Sequence, residues 1–103
     1  IFSPVQIDES GTVRDIQVSV AIDHSYLGDV EITLISPSGT VVLLQGRTLG
    51  RATQLQQVYT LQSTPTLARL LRQSAQGRWQ LRVVDAIASD SGTLNFWKLT
   101  LGV

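Results

Sequence analysis

The 103-residue chain has no cysteine and no methionine, and only one histidine and one lysine. Without cysteine, neither a disulfide framework nor a thiolate metal site is available, and the redox compartment leaves no mark on the sequence. A single histidine cannot fill a tetrahedral zinc site unless carboxylates do most of the coordination. No apolar run approaches the roughly 20 residues that a membrane-spanning helix needs. Neither sign of charge is in excess: eight basic and eight acidic residues give a formal net charge of zero. The seven arginines and Lys98 are scattered along the chain. A nucleic-acid interface draws most of its affinity from clustered positive charge, so that partner class is not expected, and neither is a membrane. The opening Ile1-Phe2-Ser3-Pro4, with no methionine and no leader pattern, sets the expectation of a domain excised from a longer polypeptide.

What the chain does have is alternation. In RDIQVSVAI, Ile16, Val18, Val20 and Ile22 share one face, against Asp15, Gln17 and Ser19 on the other. Period two over that length predicts a half-buried strand. VEITL repeats the pattern with Val30, Ile32 and Leu34 inward. WQLRVVD does so with Trp79, Leu81 and Val83, and LNFWKLTL with Trp97, Leu99 and Leu101. TVVLLQ is a continuous apolar run, which predicts a strand covered on both faces. Turn formers separate these runs: Gly11, Gly28-Asp29, Ser36-Pro37-Ser38-Gly39, Gln76-Gly77 and Asp90-Ser91-Gly92. Many short alternating strands between such turns predict a β-sandwich or barrel. One stretch differs. TPTLARLLRQ places Leu67, Leu70 and Leu71 at helical spacing after a Thr-Pro start, which predicts a short helical turn.

The polar segment HSYLGDVEITLISPSGT invites a catalytic reading, since His24 lies between Asp23 and Ser25. A hydrolytic relay needs a nucleophile within reach of a histidine that a carboxylate orients. Adjacent residues of an extended chain point to opposite faces, so these three cannot form the relay among themselves. The nucleophile-elbow pattern G-x-S-x-G is absent as well. His24 is therefore read as capping a strand end and bonding loop backbone. Calcium is a different matter, because it accepts six to eight oxygens from loop carboxylates and carbonyls. Two loop pairs, Asp23 with Asp29 and Asp85 with Asp90, can share an ion if both loops lie at one end of a sandwich. The alternative is that these side chains only close turns. Trp79 and Trp97 share faces with leucine and valine, which marks them as core and leaves Tyr26 as the exposed aromatic for a sugar platform.

The segments HSYLGDVEITLISPSGTVVLL and AQGRWQLRVVDAIASDSGTLNFWKLTL closely resemble the P domain, or homo-B domain, of kexin-like and furin-like proprotein convertases and of bacterial subtilisin-like proteases. The positions that carry the resemblance begin with His24, Gly28-Asp29-Val30 and Ser36-Pro37-Ser38-Gly39-Thr40. Gly77, Trp79, Leu81, Val83, Asp85, Gly92-Thr93-Leu94 and Trp97 complete the set. The pattern spans essentially the whole chain in the family's order. It departs in LARLLRQSAQGRW, where family members often carry a Phe-rich segment and a Gly-Glu.

The resemblance implies an all-β chain, a single domain over residues 1–103: a galactose-binding-domain-like jelly-roll sandwich of about eight mainly antiparallel strands. It implies a non-catalytic accessory domain that packs on and stabilises a subtilisin-like serine endopeptidase domain of the same chain, which holds the catalytic residues. It also implies a tuning of calcium dependence, with Asp29 and Asp85 as first candidate ligands, then Asp90 and Asp23. A secreted, secretory-pathway or periplasmic parent protein goes with this. The alternative is a substrate- or surface-binding module attached to another secreted hydrolase, such as a metalloprotease.

Overall fold

The computed structural model describes residues 2–24, 27, 30–47, 49–85 and 92–103, with the side chains of residues 24, 85 and 93 outside that description. Among the described residues seven strands form: β1 (Phe2–Ile7), β2 (Asp15–His24), β3 (Val30–Ile35), β4 (Val41–Gln45), β5 (Gln54–Thr60), β6 (Gly77–Asp85) and β7 (Gly92–Gly102). A 3-10 helix, Pro65–Leu70, lies between β5 and β6. The strands make two antiparallel sheets, one ordered β1-β6-β3-β4 and the other β5-β2-β7. Only β3 and β4 are a hairpin of consecutive strands; every other connection crosses from one sheet to the other. This is the all-β sandwich that the alternation predicts, in the jelly-roll form that the resemblance implies.

Period-two patterning gives each sheet an apolar inner face, and the two faces meet as the core. Ile16, Val18, Val20 and Ile22 of β2 are buried, as are Val30, Ile32 and Leu34 of β3 and Trp79 and Leu81 of β6. The prediction for β4 fails. Val41 and Leu43 are 46% and 50% exposed, and only Val42 and Leu44 face the core. β4 is an edge strand with no layer over its outer face among the described residues, and an unbroken apolar run does not reveal which face will be covered.

The helical turn forms where the leucine spacing places it, with Pro65 at its start and Leu67 and Leu70 fully buried. The Thr64 side chain, just before the helix, makes no capping bond, and Leu71 falls beyond the helix in extended geometry. Trp97 also differs from expectation. It faces inward but stands half-buried at the rim of the core, its indole nitrogen donating to Ser3 Oγ at 2.8 Å across the gap between the sheets.

On the opposite rim Tyr59 of β5 is buried, and its hydroxyl donates to Gln45 Oε1 of β4 at 3.1 Å. Burial pushes its pKa up from the ordinary 10.0 to about 12, because the tyrosinate would lose its hydration. A raised folded pKa means that this contribution is whole below pH 10.0 and is lost as pH climbs toward about 12. Absorbance titration of the folded chain is expected to show a step near 12 that Tyr59→Phe removes. Ionisation of both tyrosines together near 10 would contradict this.

Candidate functional site

The described turn residues of the motifs lie at the ends of the sandwich. At one end the Ser36–Thr40 turn closes the β3–β4 hairpin. Gly39 N–H donates to Ser36 O, and Ser36 N–H donates to Thr40 O, each at 2.9 Å. Proline presets φ at the second position of such a turn, and Gly39 takes φ +91°, a value that glycine adopts without steric cost. Ser36 is buried, and its Oγ accepts from Thr40 N–H at 3.1 Å.

A residue from outside the motif completes this arrangement. Gln73, just past the 3-10 helix, accepts at Oε1 from Ser38 Oγ at 2.8 Å and from Ser36 Oγ at 3.3 Å. Its Nε2 donates to Thr40 Oγ1 at 3.2 Å and to Arg69 O at 3.0 Å. One side-chain amide thus reaches three of the five turn residues. Sequence reading passed over Gln73, because glutamine in a polar segment carries no periodic signal. The one clue is the Ser36 hydroxyl, which needs a partner once it is buried.

The two halves of the resemblance touch each other here. Gly77 has φ +134°, and a methyl group built on it would lie 2.7 Å from Pro37 Cβ and 2.9 Å from Pro37 Cγ. The backbone of the Gly-x-Trp segment therefore rests directly against the ring of the Ser-Pro-Ser-Gly turn. Two residues on, Trp79 is wholly buried and its indole nitrogen donates to Ala75 O at 2.9 Å. This end is a clamp. Around Ser36 Oγ the partners are an amide, a hydroxyl and a backbone N–H, with no base to activate a nucleophile.

The other end is built from inter-sheet crossovers. Register pairs His24 with Gly92 and Asp23 with Gln54 in one sheet, and Val30 with Asp85 in the other. The ends of β2 and β6 and the starts of β3, β5 and β7 therefore share this end of the sandwich. Leu27 is buried there, and its N–H donates to Ala52 O at 2.9 Å, tying two of the crossovers together.

Of the four candidate calcium ligands, Asp23 alone has a described side chain. It is exposed, and its Oδ2 accepts from Asn95 Nδ2 at 2.8 Å. Asp85 closes β6, with its side chain outside the described residues; Asp29 and Asp90, like Gly28, Ser25 and Tyr26, lie outside them altogether. Among the described residues no three acidic or histidine side chains gather. One hydrogen-bonded carboxylate does not supply the six to eight oxygens that calcium takes, so the described residues do not by themselves fit the ion. The backbones of His24, Gly92 and Thr93 are strand: His24 ends β2, and Gly92, expected in a turn, opens β7. The expected Tyr26 platform also falls outside the described residues. Exposed aromatics stand elsewhere: Phe96, 55% exposed, and Phe2, whose ring the Arg82 guanidinium covers at 5.6 Å.

The two-layer fold and the clamp that joins its motifs define a jelly-roll β-sandwich module. The sequence profile of the proprotein convertase P-domain family matches residues 13–101, and the chain belongs to that family. It is 40% identical over 84 residues to leupeptin-inactivating enzyme 1 of Streptomyces exfoliatus, covering 82% of this chain and 18% of that one. It is 34% identical over 99 residues to a calcium-dependent protease of Trichormus variabilis, covering 93% of this chain and 15% of the relative. A transglutaminase-activating metalloprotease of Streptomyces mobaraensis is 33% identical over 102 residues, covering 97% and 12%. Among solved structures, the serine protease of Aeromonas sobria superposes with a TM-score of 0.75 at 24% identity, over 97% of this chain and 22% of that one, a likeness that bears on the fold. The chain thus spans less than a fifth of the length of these curated relatives.

Proposed function

We propose that this chain is a non-catalytic accessory domain that packs on and stabilises a subtilisin-like serine endopeptidase domain of the same polypeptide, in a secreted or periplasmic parent protein. One observation carries the reading: the described family motifs bind each other. Pro37 lies on Gly77, Gln73 holds Ser36, Ser38 and Thr40, and Trp79 seals the core. Side chains committed in this way maintain a rigid module and leave the chemistry to the neighbouring domain. The relatives' length supports such a neighbour.

Deleting residues 1–103 from the parent is expected to lower its soluble yield and its melting temperature. A fluorophosphonate probe is expected to label the intact parent and not the isolated domain. Unchanged folding and activity after the deletion would sink the proposal, and labelling of the isolated domain would move the chemistry into this chain. Calcium tuning is part of the same proposal, supported by the name of the Trichormus relative and by the shared end of β2 and β6. Asp29 and Asp85, with Asp90 and Asp23, would hold the ion, and binding to the folded state alone would stabilise it by mass action. Identical melts with added calcium and with chelator would remove that part.

A second reading, a surface-binding module on another hydrolase, draws on the metalloprotease relative and on a shallow groove. That groove lies on the outer face of the β5-β2-β7 sheet, about 300 Å³ in volume, with Phe96, Val58 and Gln56 around Ser19 and Ala21. It predicts affinity of the domain for a polysaccharide or protein surface that Phe96→Ala weakens.

A further inference from the structure

Beside the clamp, residues 11–13 and 72–75 run antiparallel around the Thr12–Ser74 bridge. Ala75 N–H donates to Gly11 O and Val13 N–H to Gln73 O, each at 2.9 Å, and Arg72 N–H donates to Val13 O at 2.8 Å. Two residues from the bridge along each arm, this register sets Arg14 opposite Arg72. A shallow groove of about 300 Å³ lies here, with Val13 and Leu71 in its lining beside Thr12, Arg14 and Arg72. Val13 is buried, and the three polar side chains are exposed.

Two features of this groove cost stability. Like charges that face each other across paired backbone repel. Arg72 also takes φ +71°, and among the described residues it is the one non-glycine with a positive φ. Glycine would occupy that left-handed conformation without steric cost. Nothing within the described residues relieves either cost. Neither guanidinium has an ion-pair or hydrogen-bond partner among them. The adjacent Asp15 carboxylate is turned to its own backbone, with Oδ1 accepting from Ile16 N–H at 2.9 Å. The backbone that carries Arg72 is held firmly, because Gln73 is fixed to the Ser36–Thr40 turn.

We infer, on the reading that this chain is one part of a longer protein, that the groove binds the carboxylate of an acidic side chain from the parent polypeptide outside residues 1–103. A planar guanidinium meets a carboxylate with two parallel N–H donors, so two facing arginines clasp one such group, and the Thr12 hydroxyl adds a further donor. The bound carboxylate replaces one repulsion with two attractions. Relatives more than five times as long as the matched region offer such side chains within the same molecule. Tethering holds them at a high effective concentration beside the groove.

Arginine modification by phenylglyoxal tests this, since a guanidinium clasped by a carboxylate reacts slowly. At low salt Arg14 and Arg72 are expected to react at least about 10-fold more slowly in the parent than in the 103-residue chain, and salt at about 1 M is expected to narrow that gap. Arg72→Gly gives a second readout, with opposite signs in the two molecules. Relief of strain and repulsion is expected to raise the melting temperature of the 103-residue chain by about 4 °C, while loss of the ion pair lowers that of the parent. Equal modification rates in parent and chain would overturn the inference, and so would an Arg72→Gly shift of the same sign and size in both. Saturable stabilisation of the 103-residue chain by free succinate, with both arginines unprotected in the parent, would also overturn it by assigning the groove to a soluble acid. Fluorophosphonate labelling of the same parent sample separates the two proposals. A labelled parent with reactive Arg14 and Arg72 defeats the groove and leaves the accessory role, and an unlabelled parent with both protected does the reverse.

Discussion

Replacing Trp79 by alanine is expected to remove about 3–5 kcal/mol of folding free energy, the range for truncating a large buried aromatic side chain. The side chain is wholly buried at the centre of the inner face of β6, so its loss leaves a cavity that two hydrogen-bonded sheets cannot collapse around. A domain of this size has roughly 5–15 kcal/mol in total, so the variant gives up about a fifth of it or more. Its melting temperature is expected to fall by about 15–30 °C. Trp79→Phe separates the two contributions. It keeps most of the apolar volume but leaves Ala75 O without the indole donor that now lies 2.9 Å away. That orphaned carbonyl is expected to cost about 1–3 kcal/mol. A Trp79→Phe variant as stable as the parent sequence would show that the hydrogen bond contributes nothing measurable.

Gly77→Ala is expected to cost about 2–4 kcal/mol, through backbone strain and a collision together. The strain comes from φ +134°, a value that L side chains rarely adopt, and the collision from a methyl group 2.7 Å from Pro37 Cβ. Gly39→Ala is the control. Its φ of +91° is also unfavourable, but nothing lies within 4 Å of the added methyl, so about 1 kcal/mol of strain is all it should show. Pro37→Gly removes the atoms that the Gly77 methyl would strike. If the contact is real, the Gly77→Ala/Pro37→Gly double variant should lose measurably less than the sum of the singles, by about 1 kcal/mol. Strict additivity in chemical denaturation would mean that the turn moves aside freely, and that the two motif halves do not hold each other.

The sequence carried the inner faces of the sheets well. Ile16 to Ile22, Val30 to Leu34 and Trp79 to Val83 alternate because successive side chains of a strand point to opposite faces, and only one face of each sheet is covered. Gly39 and the proline-led turn were legible for a local reason, as their backbone angles are set within four residues. The leucine spacing of the 3-10 helix was equally local. Gln73 was not legible, because its partners at Ser36, Ser38 and Thr40 are 33 to 37 positions away and nothing in its neighbourhood points to them. The exposure of Val41 and Leu43 was hidden for a related reason: whether an apolar strand is covered depends on what packs over it, which is a property of the whole sheet.

By itself, then, the sequence determined the strands, their inner faces, the turn chemistry and the family. The first three follow from steric preferences and hydrophobic periodicity acting over a few residues, and the family from the resemblance of the motifs to known P domains. The tertiary structure decided which strands became edges, and it joined Pro37 to Gly77 and Gln73 to the turn. It also left the inward apolar side chains of β1 and β7 only partly buried. Those outcomes depend on crossovers between sheets, which bring together residues that no local pattern relates.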